Sequence, residues 1–205
     1  MTRTMLRLSR RCLHTSTDDT RHLLRELLRD TAQSVAVVTA LLPSSSSTYH
    51  GATLSSFASI ALDPLPLVAF SLRVPSRMAS ALGAHVASPA PALAPSAHLV
   101  INILSAAQPY LADRFARPDL YPRPFADPHV HWTRSQDGLP ILSGALGALS
   151  CRLVGPSMPL ARLRGSHERV AEGEEGEGEP GEVPQASAGT GLPSELFIAD
   201  RKSVV

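Results

Sequence analysis

The chain has 205 residues, a length suited to a single domain. Hydrophobic residues make up 43% of it and aromatic residues only 4%, so Leu, Val and Ala must fill the core. A formal charge of +1 argues against a general nucleic-acid surface, and no apolar run approaches the roughly 18 residues of a membrane helix.

Residues 1–17 (MTRTMLRLSRRCLHTST) carry Arg3, Arg7, Arg10 and Arg11 among several Ser and Thr, and the first acid is Asp18. Arg-rich, Ser-rich and acid-free is the composition of a mitochondrial transit peptide, here with Met5, Leu6 and Leu13 as its apolar contacts. The expected address is the mitochondrial matrix; a basic tail without an address, on a cytoplasmic protein, is the alternative. Removal of such a leader would take Cys12 with it and leave Cys151 without an intrachain partner, which suits a reducing compartment. Cys151 lies in a small-residue, strand-like run (GALSCRLV), so it is expected to be a buried structural thiol.

Asp18-Asp19-Thr20 is a cap signal for a helix with Leu23, Leu24, Leu27 and Leu28 at helical spacing and Arg21, Arg25 and Arg29 opposite. Ser34–Leu42 reads as a buried strand from its β-branched content. Pro43 and the Ser44–Ser47 run form a turn into a second strand over about Tyr49–Ser56, and a third follows over Leu67–Leu72. Ser76 reads as the N-cap of a short helix through Leu82. Residues 83–97, rich in Ala and Pro, are expected to form a disordered surface insertion. Leu99–Leu104 is a further buried strand, and Pro109 fits the first turn of a helix to about Phe115. Residues 117–140 read as a long loop, Ala145–Leu153 as a strand, and Leu196–Asp200 as the last strand. The acidic, low-complexity run at 172–182 has no core-forming residue, and disorder is expected over 172–191. Strands joined by hairpins with only short helices suggest an antiparallel barrel.

The chemistry is concentrated between Gly51 and Arg77. Thr53, Ser55, Ser56 and Ser59 offer hydroxyls along a strand and the turn after it, with Thr53 and Ser55 on one face by alternation. Ser76 and Arg77 stand at a helix start, where free N–H groups favour an anion and Arg adds a bidentate contact. Taken singly, each hydroxyl has a purely local use in a turn or cap. Their co-occurrence on neighbouring elements favours a phosphate-bearing ligand. His50, His85, His98, His129 and His131 show no ligand spacing with Cys or acid, so no metal is expected.

These segments resemble the flavin reductase-like family, in its order along the chain. Ser34–Thr39, Ala52–Ser59, Asp63–Val68 and Ser76-Arg77 are similar to the family's first strand, hydroxyl-rich turn, D-P-P-L-V strand and S-R-T helix start. Leu99–Ser105, Gln108–Phe115, Gly138–Pro140 and Gly144–Leu153 are similar to its later motifs, so most of residues 20–170 are covered. The resemblance implies a mainly β fold with short helices, an antiparallel Greek-key split β-barrel that binds FMN. It implies that Thr53, Leu54, Ser55, Ser56 and Ser59 cradle the isoalloxazine and ribityl chain, and that Ser76 and Arg77 hold the phosphate. Asn102 is a further candidate within the site, with the satisfaction of strand ends as its alternative role.

Gly165-Ser166-His167 resembles the family's G-D-H signature, which implies that His167 lies where the nicotinamide stacks; Ser166 replaces the acid. After Val170 the acidic run interrupts the match, either as an insertion splitting a hairpin or as a gene-model artefact. Ile198 and Ser203 stand where the family has Tyr. The implied activity is hydride transfer from NADH or NADPH to flavin, in a homodimer that serves a flavin-dependent acceptor protein. A flavin-binding protein without turnover is the alternative, motivated by Ser166 and the acidic run.

Overall fold

The computed structural model describes residues 17–42, 48–87, 96–162 and 193–204. The chain divides at Gln33–Ser34 into two compact units. The first contributes one described element, helix α1 (Thr17–Asp30). It begins at Thr17, so the Asp-Asp-Thr run lies inside the helix and not before it. Leu23, Leu24, Leu27 and Leu28 form the expected apolar stripe, and all four are exposed.

The second unit is built on one antiparallel sheet. Its strands are β1 (Ala36–Leu41), β2 (Tyr49–Leu54), β3 (Ala58–Ala61), β4 (Leu67–Arg73), β5 (Leu99–Ile103), β8 (Gly147–Leu153), β9 (Met158–Pro159) and β10 (Ser194–Val204). A separate hairpin pairs β6 (Trp132–Arg134) with β7 (Pro140–Leu142). The order across the sheet is β2-β1-β5-β8-β10-β4-β3, with β9 on β10. Its two edge strands, β2 and β3, are neighbours in sequence and are joined only by Ser55–Phe57. The sheet therefore curls until its edges approach, which gives the antiparallel split barrel.

Strand β1 shows why the sequence pattern is continuous and not alternating. Val38 and Ala40 face one core cluster with Leu54, Phe70, Met78, Leu82, Ile101 and Phe197. Val37 faces a second cluster with Leu111, Phe115, Val130 and Leu142. A strand buried on both faces needs apolar residues at every position. The exception, Thr39, is fully buried and donates to the Pro140 carbonyl at 2.7 Å, so its hydroxyl is satisfied. Phe70 and Phe197, on paired strands, stack with centroids 5.5 Å apart.

Helix α2 (Arg77–Ala87) lays Met78, Ala79 and Leu82 into the first cluster, and Ala81 is buried as well. It runs five residues beyond the expected Leu82, so the surface insertion read at 83–97 is narrower: Gly83–Ala87 are helical and Ala97 is buried. Helix α3 (Pro109–Ala116) buries Leu111 and Phe115, four residues apart, on the opposite side of the sheet. Residues 117–140 are not one loop. They hold a short 3-10 turn (Pro124–Ala126) and β6, because Phe125 and Trp132 pack against the second cluster. Strand β3 escapes the sequence pattern since its side chains are mostly exposed, and β10 is longer than expected because it pairs with β4, β8 and β9. Cys151 is buried and its thiol is pushed up to about 12 by burial first and Asp200 second, as a structural thiol should be.

Candidate functional site

The hydroxyl-rich segment occupies the seam between the two sheet edges. On β2 the residues alternate: His50, Ala52 and Leu54 share one face, while Tyr49, Gly51 and Thr53 share the other. Ala52 and Leu54 join the cluster packed by α2, which places His50 on the α2 side. The opposite face meets α3 and an aromatic group in which Tyr49 lies edge-on to Trp132 at 5.1 Å and Phe125 at 6.0 Å. Gly51 is required there, because a Cβ at this position would come within 2.5 Å of the Phe115 ring.

That geometry sorts the residues expected to hold a ligand. Thr53 turns away from the α2 side and donates to the Ala112 carbonyl at 2.6 Å, so its hydroxyl secures α3 and only its backbone faces outward. Leu54 is a core side chain, 2% exposed, and its backbone is paired with Ala36 of β1. Ser55 and Ser59 are exposed and their hydroxyls bond no other described residue. Ser56 is engaged with Ser71 of β4: its hydroxyl accepts the Ser71 N–H at 2.9 Å and donates to the Ser71 carbonyl at 3.2 Å.

Ser76 behaves as read from the sequence, accepting the Ala79 N–H at 3.2 Å as the cap of α2. Arg77, the first residue of the helix, is exposed and has no carboxylate partner among the described residues. Its charge reaches His50, whose imidazole is held below the usual histidine range by burial first and by Arg77 second. An unpaired guanidinium at a helix N-terminus is a donor set for phosphate, so the residues present fit the phosphate end of FMN.

Asn102 leaves the candidate list. Its side chain is fully buried, donates to the Val37 carbonyl at 3.2 Å, and accepts the Leu142 N–H at 2.8 Å. It ties β5 to β1 and to the β6–β7 hairpin, with nothing left for a ligand. The role of satisfying strand ends is the one the structure places there. His167 lies outside the described residues. Among the described residues no group of three His, Cys, Asp or Glu side chains gathers as a metal site, and His129 and His131 are both exposed.

Two residues acquire roles that the sequence reading did not give them. Gln108 is buried, accepts the Ser105 N–H at 3.1 Å and donates to the Ser143 carbonyl at 2.7 Å, locking the turn after β7 to the start of α3. Its only sequence signal is its place at the head of Gln108–Phe115, one of the segments that resemble the family. His50 had none beyond preceding a glycine.

Comparison with known proteins decides the family. Residues 28–171 match the flavin reductase like domain. The chain belongs to this family. It is 37% identical over 118 residues to the FMN reductase (NADH) SmoA of Agrobacterium fabrum, covering 58% of this chain and 56% of that one. It is 33% identical over 143 residues to an NADPH-flavin oxidoreductase of Streptomyces viridifaciens, covering 68% of this chain and 66% of that one. The matches thus span less than two thirds of the length of either relative. Among solved structures, nitrilotriacetate monooxygenase component B from Mycobacterium thermoresistibile aligns over 91% of this chain and 75% of its own, with a TM-score of 0.59 and 20% identity. That likeness concerns the fold, and it agrees with the split barrel expected for a flavin reductase-like chain.

Proposed function

We propose that this flavin reductase-like chain binds FMN and reduces it with NADH or NADPH. The observation that carries the reading is Arg77, an exposed cation with no carboxylate partner among the described residues, one position after the Ser76 cap. Bound FMN supplies the hydride acceptor that no side chain offers, and the nicotinamide is the donor.

The chain's own residues bind and orient. Arg77 and the α2 N-terminus hold the phosphate, Ser55 and Ser59 supply free hydroxyls, and the backbone of Thr53 lines the ring side. Ser56 holds the seam on which these stand, and His167 is assigned to the nicotinamide. No acid–base residue is needed for hydride transfer, which accounts for a site without a triad. A homodimer is part of the reading, supported by Ile60, Leu62 and Leu65 exposed at 52%, 76% and 54% on and beside edge strand β3. A flavin-dependent acceptor protein and a mitochondrial matrix address from residues 1–17 complete it.

The test is a spectrum and an assay. Protein incubated with FMN and desalted should carry flavin absorbance, and with excess FMN it should oxidise NADH or NADPH. Flavin bound without nicotinamide oxidation would identify a binding protein without turnover. No saturable FMN binding would overturn the reading.

A further inference from the structure

We propose that His50 is a second cationic contact for the FMN phosphate, and that it takes up a proton as the phosphate binds beside Arg77. This rests on the FMN reading above and adds to it a residue and a proton linkage.

The placement comes from the strand. His50 shares the β2 face of Ala52 and Leu54, and both pack in the cluster that holds Met78, Ala79 and Leu82 of α2. Arg77 directly precedes Met78, so strand face and helix start converge on one place. The ring is half-buried, which shields whatever it contacts from water. In the free protein it is neutral near pH 7, since burial and the Arg77 charge both oppose protonation.

The other charges near β2 are already used. Strand β1, paired along the length of β2, carries no ionisable side chain. On α3, Asp113 pairs with Arg117, and Arg114 pairs with Asp127, which follows the 3-10 turn. Tyr110 of α3 is exposed, His85 lies in the last turn of α2, and Arg73 ends β4. Among the described residues, the elements packed on β2 thus bring no unpaired acid to this face. A phosphate dianion placed there reverses the field at the imidazole and draws a proton onto it. The ring then donates a charge-assisted hydrogen bond to a phosphate oxygen.

The experiment is titration calorimetry of the full chain with FMN at pH 7, in two buffers of different ionisation enthalpy, with riboflavin as the ligand lacking phosphate. The wild type should take up a fraction of a proton with FMN and none with riboflavin. His50→Gln should take up none and bind FMN several-fold more weakly, with riboflavin affinity unchanged. His50→Lys, a permanent cation, should restore affinity without proton uptake, and its native denaturation midpoint checks that the fold survives the substitution. FMN binding with equal proton uptake in wild type and His50→Gln overturns the role of His50 and leaves the FMN reading standing. Absence of FMN binding by the wild type overturns both.

Discussion

One hydroxyl closes the split barrel: Ser56 accepts the Ser71 N–H at 2.9 Å, donates to the Ser71 carbonyl at 3.2 Å, and accepts the Ser71 hydroxyl at 3.0 Å. A residue in a paired strand would satisfy the same N–H and C=O with its own backbone. Here a side chain from the linker between β2 and β3 takes that place, and it uses one donor and two lone pairs, the full capacity of a hydroxyl. The seam so formed lies within the segment read as the flavin cradle. Holding the seam and holding a ligand are therefore linked through one atom.

Ser56→Ala should accordingly lower stability before any ligand is added. The freed Ser71 groups are at an exposed site and water can replace part of what is lost, so the expected cost is about 1 kcal/mol. Denaturant unfolding without flavin checks it. An unchanged midpoint, with weakened FMN binding alone, would mean that Ser56 is only a ligand contact.

Asn102→Ala tests the opposite assignment. The side chain is fully buried and its removal strands the Leu142 N–H without access to water, while the Val37 carbonyl keeps its ladder pairing with the backbone of residue 102. Leaving such a group unpaired costs about 1–3 kcal/mol, so a loss of roughly 2 kcal/mol is expected. FMN affinity of the folded fraction should stay within twofold of wild type. A tenfold weaker FMN affinity in a protein of native stability would return Asn102 to the binding site.

Local motifs were legible in the sequence and long-range pairings were not. Ser76 could be read as a cap because its partner Ala79 is three residues away, and α2 followed from it. The partner of Ser56 is fifteen residues off and that of Thr53 fifty-nine, so nothing near either residue distinguishes a staple from a ligand contact. Strand β1 was legible because burial on both faces leaves an unbroken apolar run. Strand β3 was not, because an exposed edge strand carries no apolar alternation. His50 carries no local signal for the same reason: only the fold brings the charge of Arg77 to bear on it.

Acid should loosen the barrel at a second histidine. His98, just before β5, stacks on His85 of α2 with centroids 5.3 Å apart and accepts the Leu153 N–H at 3.3 Å. Burial first, then His85 and Arg152, hold its imidazole down at about 4 against an ordinary 6.5. Between those values the unfolded chain binds a proton that the folded one refuses, so stability falls as pH drops from 6.5 toward 4 and is level above. The ring is partly exposed, and after solvent screening the loss is roughly 1 kcal/mol, or about 3 °C in Tm. Thermal unfolding at pH 7.5 and 4.5 should show a smaller difference for His98→Gln than for wild type. An equal difference would place the acid sensitivity elsewhere.

Arg77 offers the sharpest test of the site, because its loss should change binding and leave stability alone. It is exposed and has no carboxylate partner among the described residues, so Arg77→Ala should leave stability within about 0.5 kcal/mol of wild type. A hydrogen bond to a charged group contributes about 1.5–3 kcal/mol, so FMN affinity should fall roughly tenfold to a hundredfold while riboflavin affinity holds. Arg77→Lys keeps the charge but loses the planar fork, and should fall between. The same substitution removes the second cause of the lowered His50 pKa and leaves burial as the first. His50 in Arg77→Ala should therefore titrate closer to the ordinary histidine range, which can be followed by NMR of the ring protons. A His50 titration unmoved by the loss of Arg77 would separate the two residues, and an unchanged FMN dissociation constant would remove Arg77 from the phosphate site.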